Sequence, residues 1–402
     1  NDNGPFNGYV KVAHGDPKNL IYDFGKKTVN ITATQENYDT APIGSTSSMG
    51  VPNGVTAHIK AGTLNLTMLE QSTLAYSTSG ILVDTGNKIT IDSDVNMHVS
   101  GGNFSVAGIN MGHFGSGAGS QTSVIINGDL SAKGTSDNQE SNDYWGVQGT
   151  GENGGYDGYK GSRWAPSGIY MGSENGSSVT VNGKVNLAVK GNGVVTDAYT
   201  KVDGKNSLDN FVTIRGGTID TPAGGDVGFF SLASFGGTIN MGMNDALSDA
   251  GTSDVVLKGN VLAMKDDGNA KNTVLFRDGA INIGLGTRKS SWTGVVSNTG
   301  AAQAGDVNLY MKDGSVWNHE AYSPADGINM ASLPDASDTT FHMKQIYGTY
   351  DGISHVNKLS SNGGIIYQNE KDTNIEVADY SGNTTVVYKN NSSNEIVGGD
   401  LV

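Results

Sequence analysis

Apolar and polar residues alternate in short runs along most of this chain. Residues 88–92 read Lys-Ile-Thr-Ile-Asp and residues 95–99 read Val-Asn-Met-His-Val, so the side chains of each run divide between an inward face and a solvated face. Glycine, asparagine and aspartate end these runs, and all three tolerate the backbone angles of tight corners. Because no stretch shows a convincing helical period, the pattern predicts an almost entirely β chain.

One local unit recurs four times, with copies that begin at Ile109, Ile169, Ile239 and Ile281. Each copy opens with Ile-x-Met-Gly or Ile-x-Ile-Gly, crosses a polar segment of variable length and returns as a strand that ends near a glycine. A constant unit at unequal spacing predicts a solenoid of parallel strands, with about 16–20 coils of roughly 20–25 residues each. An antiparallel sandwich would need a shorter chain, and a propeller would need a fixed period of about 40–50 residues.

The composition supports a solenoid and excludes one class of partner. The chain has 402 residues, whereas a single compact core stops growing near about 250–300 residues and a solenoid lengthens without thickening. A net charge of −15 without a basic patch argues against nucleic acid as a partner. The absence of cysteine suits a chain that crosses a membrane unfolded into an oxidising compartment. No apolar run approaches the roughly 20 residues of a spanning helix, so we expect no membrane insertion of this segment.

Residues 135–166 form one long insertion without an alternating run, between the copies at Ile109 and Ile169. The insertion concentrates five aromatic residues, which we predict to bind a partner: Tyr144, Trp145, Tyr156, Tyr159 and Trp164. Such rings offer rigid contact area at small entropic cost and stack on sugars or protein patches. The alternative is that the rings fold back and cover the solenoid. Trp292, Trp317 and Tyr322 form a second, weaker aromatic set.

The C-terminal part carries a family signal. Residues 354–367 read SHVNKLSSNGGIIY, and residues 373–388 read TNIEVADYSGNTTVVY. Over residues 346–390 this resembles the end of classical (type V) autotransporter passenger domains, the pertactin-like and AIDA-type adhesin family, with Ile375 in place of a leucine and Tyr388 as the closing aromatic residue. The resemblance implies a right-handed parallel β-helix outside an outer-membraned bacterium, a C-terminal autochaperone-like cap, and a signal peptide and translocator barrel beyond this sequence.

Some passenger domains of this family are enzymes, so catalytic and metal-binding motifs bear on the function. Neither Gly-Asp-Ser-Gly nor Gly-x-Ser-x-Gly occurs, and no two histidines have a close metal-ligand spacing. Asp92 and Asp94 lie two residues apart and are expected to share one strand face, most simply as solvated acids. Asp143, Glu152 and Asp157 could supply oxygen ligands for calcium, although no EF-hand pattern is present. We therefore expect no catalytic residues, no metal site and no cofactor, with calcium as the weak exception.

Together these observations predict a solenoid over residues 1–345, with the insertion at 135–166, and a cap over residues 346–402 of the same solenoid. The predicted function is that of a bacterial cell-surface adhesin, which attaches to host cells, to other bacteria or to copies of itself in aggregates and biofilms. The partner would be a protein or glycan receptor. The alternative is a glycan-cleaving parallel β-helix enzyme, a lyase or glycosidase, for which carboxylates of neighbouring coils would have to converge in a groove. The sequence leaves that convergence open.

Overall fold

The computed structural model describes residues 6–7, 10–11, 19–35, 41–45, 54–70, 77–84, 86–100, 105–111, 121–132, 147–148, 166–172, 176–189, 191–197, 209–221, 230–263, 279–297, 305–322, 350, 352–369 and 374–388. Every regular element within these ranges is a β-strand, as the sequence predicts. In the same ranges, no helix has the length and apolarity needed to cross a membrane. The chain is therefore all-β, and its strands form two sheets.

The large sheet contains 18 strands and the small sheet contains 9. The strands of the large sheet are β1 (Phe6–Asn7), β3 (Leu20–Asp23), β4 (Thr28–Gln35), β6 (Thr56–Glu70), β8 (Lys88–Ser100), β10 (Ser123–Ile126), β11 (Leu130–Ala132), β12 (Val147–Gln148), β14 (Ser178–Ala188), β16 (Phe211–Asp220), β18 (Gly237–Met241), β19 (Val255–Lys258), β21 (Gly279–Leu285), β22 (Ser291–Thr293), β24 (Asp306–Lys312), β25 (Val316–His319), β26 (Ile353–Gln368) and β27 (Asn374–Tyr388). The strands of the small sheet are β2 (Val10–Lys11), β5 (Ile43–Ser45), β7 (Ser77–Val83), β9 (Ser105–Met111), β13 (Ser167–Met171), β15 (Asn192–Asp197), β17 (Phe230–Phe235), β20 (Asn260–Ala263) and β23 (Val296–Ser297).

The strands pair in parallel within both sheets, so equivalent positions of successive strands form straight columns. Leu64 pairs with Val95, Val95 with Leu130, and Leu130 with Val185 in the large sheet. Neighbouring residues of such columns are 20 to 60 positions apart along the chain, from Gly364 and Thr384 at the short end to Ile109 and Ile169 at the long end. The predicted spacing of 20–25 residues is wrong for most of the chain, because the connections between strands are longer than the repeated unit suggests.

The four copies of the repeated unit occupy two different places. Ile109 pairs with Ile169 in the small sheet, whereas Ile239 pairs with Ile281 in the large sheet. The Ile-x-Met-Gly pattern indicates only an inward apolar residue that is followed by a corner. Strands of both sheets contain such a residue and such a corner. The unit therefore identifies strands correctly but does not identify their sheet.

The apolar core lies between the two sheets. In the large sheet buried and partly exposed residues alternate, as in β8, where Ile89, Ile91, Val95, Met97 and Val99 are all buried. Strands of the small sheet are instead buried at every described position, as in β13 and β17. Burying a side chain of this size contributes about 1.5–3 kcal/mol, so the stacked columns stabilise the fold while only the large sheet presents an outward face.

The long strands of the large sheet bend near their middle, where the pairing register shifts, for example between Val181 and Lys184. Glycine makes this bend possible. A Cβ atom on Gly128 would lie 2.2 Å from the carbonyl oxygen of Ser93, and one on Gly183 would lie 2.2 Å from that of Gly128. A larger residue at either position would push neighbouring strands apart.

The predicted cap contributes β26 and β27 to the large sheet. β26 pairs with β24 and β25, and β27 pairs along β26. Most of β27 is exposed, and Val386 is its one buried residue among those described. These two strands continue the large sheet without a break.

Candidate binding surface

The five aromatic residues predicted as a binding site, Tyr144, Trp145, Tyr156, Tyr159 and Trp164, lie outside the described residues. The segment that carries them is not one uninterrupted loop, however. Val147 and Gln148 form strand β12, which pairs with Val99 and Ser100 of β8. The chain therefore rejoins the large sheet between Trp145 and Tyr156, and the predicted insertion consists of two separate connections.

The second aromatic set belongs to the core. Trp292 and Trp317 are fully buried and stack with ring centroids 4.6 Å apart and an interplanar angle of 5°. Their indole N–H groups donate to the carbonyl oxygens of Gly259 and Gly294, at 3.0 Å each. The interpretation of these two tryptophans as contact residues is wrong, because a large ring on an inward strand position packs before it can reach a partner.

Tyr322, the third member of that set, ties its segment to the large sheet. Its hydroxyl group donates to Oδ1 of Asp220 at 2.8 Å, and its backbone N–H donates to Oδ1 of Asn260 at 3.0 Å. Burial and the hydrogen bond to the Asp220 carboxylate raise the pKa of Tyr322. The hydroxyl group thus stays protonated and serves as a structural donor.

Asparagine side chains stack in ladders on the outward face of the large sheet. Nδ2 of Asn65 donates to Oδ1 of Asn30 at 2.8 Å, and Nδ2 of Asn96 donates to Oδ1 of Asn65 at 3.0 Å. A second ladder runs through Asn240, Asn282, Asn308 and Asn357, with Nδ2–Oδ1 distances of 2.8 to 3.0 Å. Parallel, in-register strands favour such ladders because identical side chains lie directly above one another. The same stacking joins Asn182 to Asn127, with an Nδ2–Oδ1 distance of 2.8 Å.

These ladders leave polar groups for a partner. An amide has two N–H donors and two acceptor lone pairs on its oxygen, and a ladder uses one of each. At the half-exposed or exposed asparagines of the ladders the remaining groups are open to solvent, whereas Asn240 is buried. We call this outward side of the large sheet the polar face. It repeats donors and acceptors at the strand spacing of about 4.8 Å.

A histidine–aspartate pair lies on the polar face. Nε2 of His58 lies 2.5 Å from Oδ2 of Asp92, and Nδ2 of Asn127 donates to Oδ1 of Asp92 at 2.5 Å. The hydrogen bond from Asn127 lowers the pKa of Asp92 and, together with smaller contributions from His58 and Lys60, outweighs the opposing effect of burial. Both carboxylate oxygens are therefore engaged, and Asp92 is held as an anion.

Carboxylates at the bend bind the backbone of the next strand. Oδ1 of Asp94 accepts the N–H of Asp129 at 2.8 Å, and Oδ1 of Asp129 accepts the N–H of Lys184 at 2.7 Å. Asp92 and Asp94 flank the buried Ser93, so the expectation that they share a face is confirmed. In this arrangement each aspartate holds the next strand where the ladder of backbone hydrogen bonds is interrupted.

One ordered loop projects from the polar face at residues 242–254. Oδ1 of Asn244 accepts the N–H groups of Ser248 and Asp249 at 3.0 and 3.4 Å, which folds the tip into a closed turn. Asp249 also pairs with Lys312 at 2.5 Å. At the tip, Leu247 adopts a φ of 52° and is 37% exposed. A bulky residue in the left-handed region is unusual and marks a site where the surroundings impose a conformation.

The sequence did not point to this loop, because its three aspartates and two serines resemble those of any polar turn. The only local signal is the pair Gly284 and Gly286 on the next strand segment. A Cβ atom on Gly284 would lie 2.3 Å from the carbonyl oxygen of Gly242, and one on Gly286 would meet that of Gly251. Glycine at both positions allows the loop to lie directly against its neighbour.

A buried serine–histidine–glutamine relay was also missed, since its members are 35 and 49 residues apart in sequence. Nε2 of His319 lies 2.8 Å from Oγ of Ser354, and Nδ1 lies 2.5 Å from Oε1 of Gln368. A hydroxyl group beside an oriented imidazole is the arrangement of an activated nucleophile. Here Ser354 and His319 are fully buried, so no substrate reaches the hydroxyl group in this structure.

No cluster of three or more histidine, aspartate or glutamate side chains that could hold a metal ion occurs in the described ranges. The predicted calcium ligands, Asp143, Glu152 and Asp157, lie outside them. Comparisons with family models, curated proteins and solved structures find no match to this chain.

Proposed function

We propose that this chain is the passenger domain of a classical autotransporter, a right-handed parallel β-helix that an outer-membraned bacterium displays on its surface as an adhesin. Parallel pairing throughout two sheets supports the solenoid, because each strand lies beside the equivalent strand one coil later. The resemblance of residues 346–390 to autotransporter passengers supports the family. In this proposal the rod carries its contact surfaces away from the cell.

The polar face is the observation that carries the adhesive role. A half-exposed array of amides and hydroxyls can form many weak hydrogen bonds with a protein, a glycan or the same face of another copy. Individually such bonds are worth about 0.5–1.5 kcal/mol. Their regular repeat along a stiff support lets many act together, which raises avidity without any single strong contact.

Loops would add selectivity to this face. The loop at 242–254 presents Leu247 and the 96% exposed side chain of Asp245, which Arg215 holds at 2.7 Å. The five aromatic residues of the 135–166 segment would supply larger contacts. Interfaces concentrate their binding free energy in a few such residues, so we assign selectivity to the loops and avidity to the polar face.

The experiment is a bead-aggregation assay together with a glycan array, each run with and without calcium. Clumping of beads coated with the chain would support self-association through the polar face, and capture of particular glycans without clumping would support the loops. Release of a shortened product from a bound glycan would instead support the alternative function, that of a glycan-cleaving enzyme. Absence of clumping, of glycan capture and of attachment to host or bacterial cells would contradict the proposal.

The aromatic contribution is tested by replacing Trp145, Tyr156, Tyr159 and Trp164 together with alanine. Binding to the captured glycan or cell should weaken, while the far-ultraviolet circular dichroism of the sheets stays unchanged. Alanines at Tyr380 and Tyr388 of β27 form the matched control, because both rings are exposed and their positions continue the inward columns of Leu359 and Gln368, outside the insertion and the asparagine ladders. Unchanged adhesion in the aromatic variant, with an unchanged spectrum, would remove the loop from the binding surface.

The autochaperone-like role of the C-terminal part is tested by two deletions. Removing residues 354–402 takes away β26 and β27 and exposes the edges of β24 and β25, so we expect slow or failed refolding. Removing residues 135–166 leaves Leu130 paired with both Val95 and Val185, and refolding should be far less affected. Equal refolding rates of the two deletion variants would contradict the assignment.

A further inference from the structure

The buried His319 fills a special position at the C-terminal end of the core. The small sheet ends at Ser297 among the described residues, and the interior beyond it is filled by Trp317 and His319, whose rings meet edge to face with centroids 5.1 Å apart. The imidazole bonds both ends of β26: Ser354 near its beginning and Gln368 at its end. One side chain thus links β25 to the whole length of the strand that follows.

The hydrogen bonds around His319 satisfy a neutral imidazole at both ring nitrogens. Nδ1–H donates to Oε1 of Gln368, and Nε2 accepts the hydroxyl hydrogen of Ser354. The Ser354 oxygen in turn accepts the backbone N–H of Val296 at 3.0 Å. Donors and acceptors therefore match along the relay. Adding a proton to Nε2 would turn two hydrogens toward each other and force the Ser354 hydroxyl group to give up its acceptor.

No carboxylate compensates a charge on His319 within the described residues. On β25 the next acid is Glu320, beyond the end of the strand. On β26 the charged groups are directed elsewhere: His355 pairs with Glu376 of β27 at 3.1 Å, and Lys358 lies over the ring of Tyr310. Neither Val296 nor Ser297 of β23 is ionisable. Burial lowers the pKa of His319 to about 4, opposed only by the hydrogen bond to Gln368.

We propose that His319 is an acid-sensitive latch that holds β26 and β27 onto the rest of the large sheet and releases them as the pH falls. Two observations make these strands the part that opens: they form one end of the pairing order, and β27 is exposed over most of its length. End strands with few buried residues open at lower free energy than the interior of a sheet. This inference does not depend on the adhesive role.

The sign and the size of the pH effect on opening follow from the pKa of His319 in the opened and in the closed state. The opened state exposes an imidazole with the ordinary pKa of 6.5, whereas the closed state keeps it near 4. The opened state therefore takes up the proton first, and closure weakens as the pH falls through 6.5 and levels off below about 4. Between pH 7.5 and pH 5 the opening equilibrium should rise about 30-fold.

Hydrogen exchange measured by mass spectrometry tests the latch in the full chain. After correction for the intrinsic exchange rate, protection of peptides from 353–368 and 374–388 should fall about 30-fold between pH 7.5 and pH 5. Peptides from 178–188 and 211–220, which contain no histidine, provide the internal reference in the same sample and should keep their protection. Equal changes in both sets of peptides, or no change at pH 5, would overturn the proposal.

Three variants distinguish the titration of His319 from that of other histidines. In His319→Gln the amide can still donate to Gln368 and accept from Ser354, but it does not titrate, so the acid-dependent loss of protection should disappear. His355→Gln removes the exposed histidine of β26 and should keep the loss. Should His319→Gln not fold, Gln368→Glu places a carboxylate against Nδ1, which raises the pKa of His319 and should shrink the loss. Persistence of the full loss in His319→Gln, or in Gln368→Glu, would refute the latch.

Discussion

Trp317 offers the most direct test of where the core ends and the contact surface begins. Its side chain is fully buried, stacks on Trp292 at 4.6 Å and donates to the carbonyl oxygen of Gly294. Replacing a buried tryptophan with alanine costs about 3–5 kcal/mol. Within that cost the aromatic stacking accounts for about 0.5–1.5 kcal/mol and the hydrogen bond for about 1 kcal/mol. We therefore expect Trp317→Ala to lower the free energy of unfolding by about 3–5 kcal/mol.

Urea titration followed by circular dichroism measures this change. A domain is stable by only about 5–15 kcal/mol, so the predicted loss is a large part of the total and should shift the unfolding midpoint visibly. Trp317→Phe keeps an aromatic ring against Trp292 but loses the indole donor. Its unfolding midpoint should fall between those of the unchanged protein and of Trp317→Ala. Phe211→Ala is the matched control, because that ring is 41% exposed on the polar face and surface changes usually stay within about 0.5 kcal/mol.

Unchanged stability together with lost binding would contradict the burial of Trp317. If Trp317→Ala kept the unfolding midpoint of the unchanged protein but lost binding to cells or glycans, the ring would have to reach the surface. In that case the original interpretation of Trp292 and Trp317 as contact residues would be restored. A loss of stability with unchanged binding at temperatures where the variant stays folded would support the buried stack.

Two further substitutions test the ladder and the bend. Asn65→Asp loses the amide hydrogen donated to Asn30 and sets two oxygens against each other, so the free energy of unfolding should fall by about 0.5–1.5 kcal/mol. Asn30→Asp keeps its acceptor role and should change the free energy of unfolding less. Urea midpoints at pH 7 compare the two variants. Gly183→Ala drives a Cβ atom to 2.2 Å from the Gly128 carbonyl oxygen and should cost about 1–3 kcal/mol or prevent folding. Gly54→Ala meets no atom within 4 Å, and only its φ of 74° opposes the methyl group, so thermal melting should place it closer to the unchanged protein.

The sequence predicted those features that one strand displays by itself. Alternation in residues 88–100 gave both faces of β8, including the shared face of Asp92 and Asp94. Each of these features needs only the local period of two residues, and that period survives any arrangement of the strands.

The features that the sequence missed depend on which strands become neighbours. Ile109 and Ile239 carry the same local pattern yet lie in different sheets, because the length of the preceding connection decides which side of the core a strand reaches. Ser354 and Gln368 meet His319 only after β26 has bent around it. No local pattern encodes such a meeting, so buried polar groups far apart in sequence were the hardest to predict.

The same physics explains why a contact surface on this chain is difficult to find by inspection. Each column of the polar face takes about one residue from every strand, and a shift of one position along a strand would turn its polar side chains inward. The columns are therefore fixed by the buried residues between them: Val95, Leu130 and Val185 hold the register, and Asn96, Ser131 and Asn186 are placed outward as a consequence. Outward positions in these columns can vary without disturbing the core, provided that the apolar residues are kept. A face built in this way can change its partner by substitution while the fold that supports it stays the same.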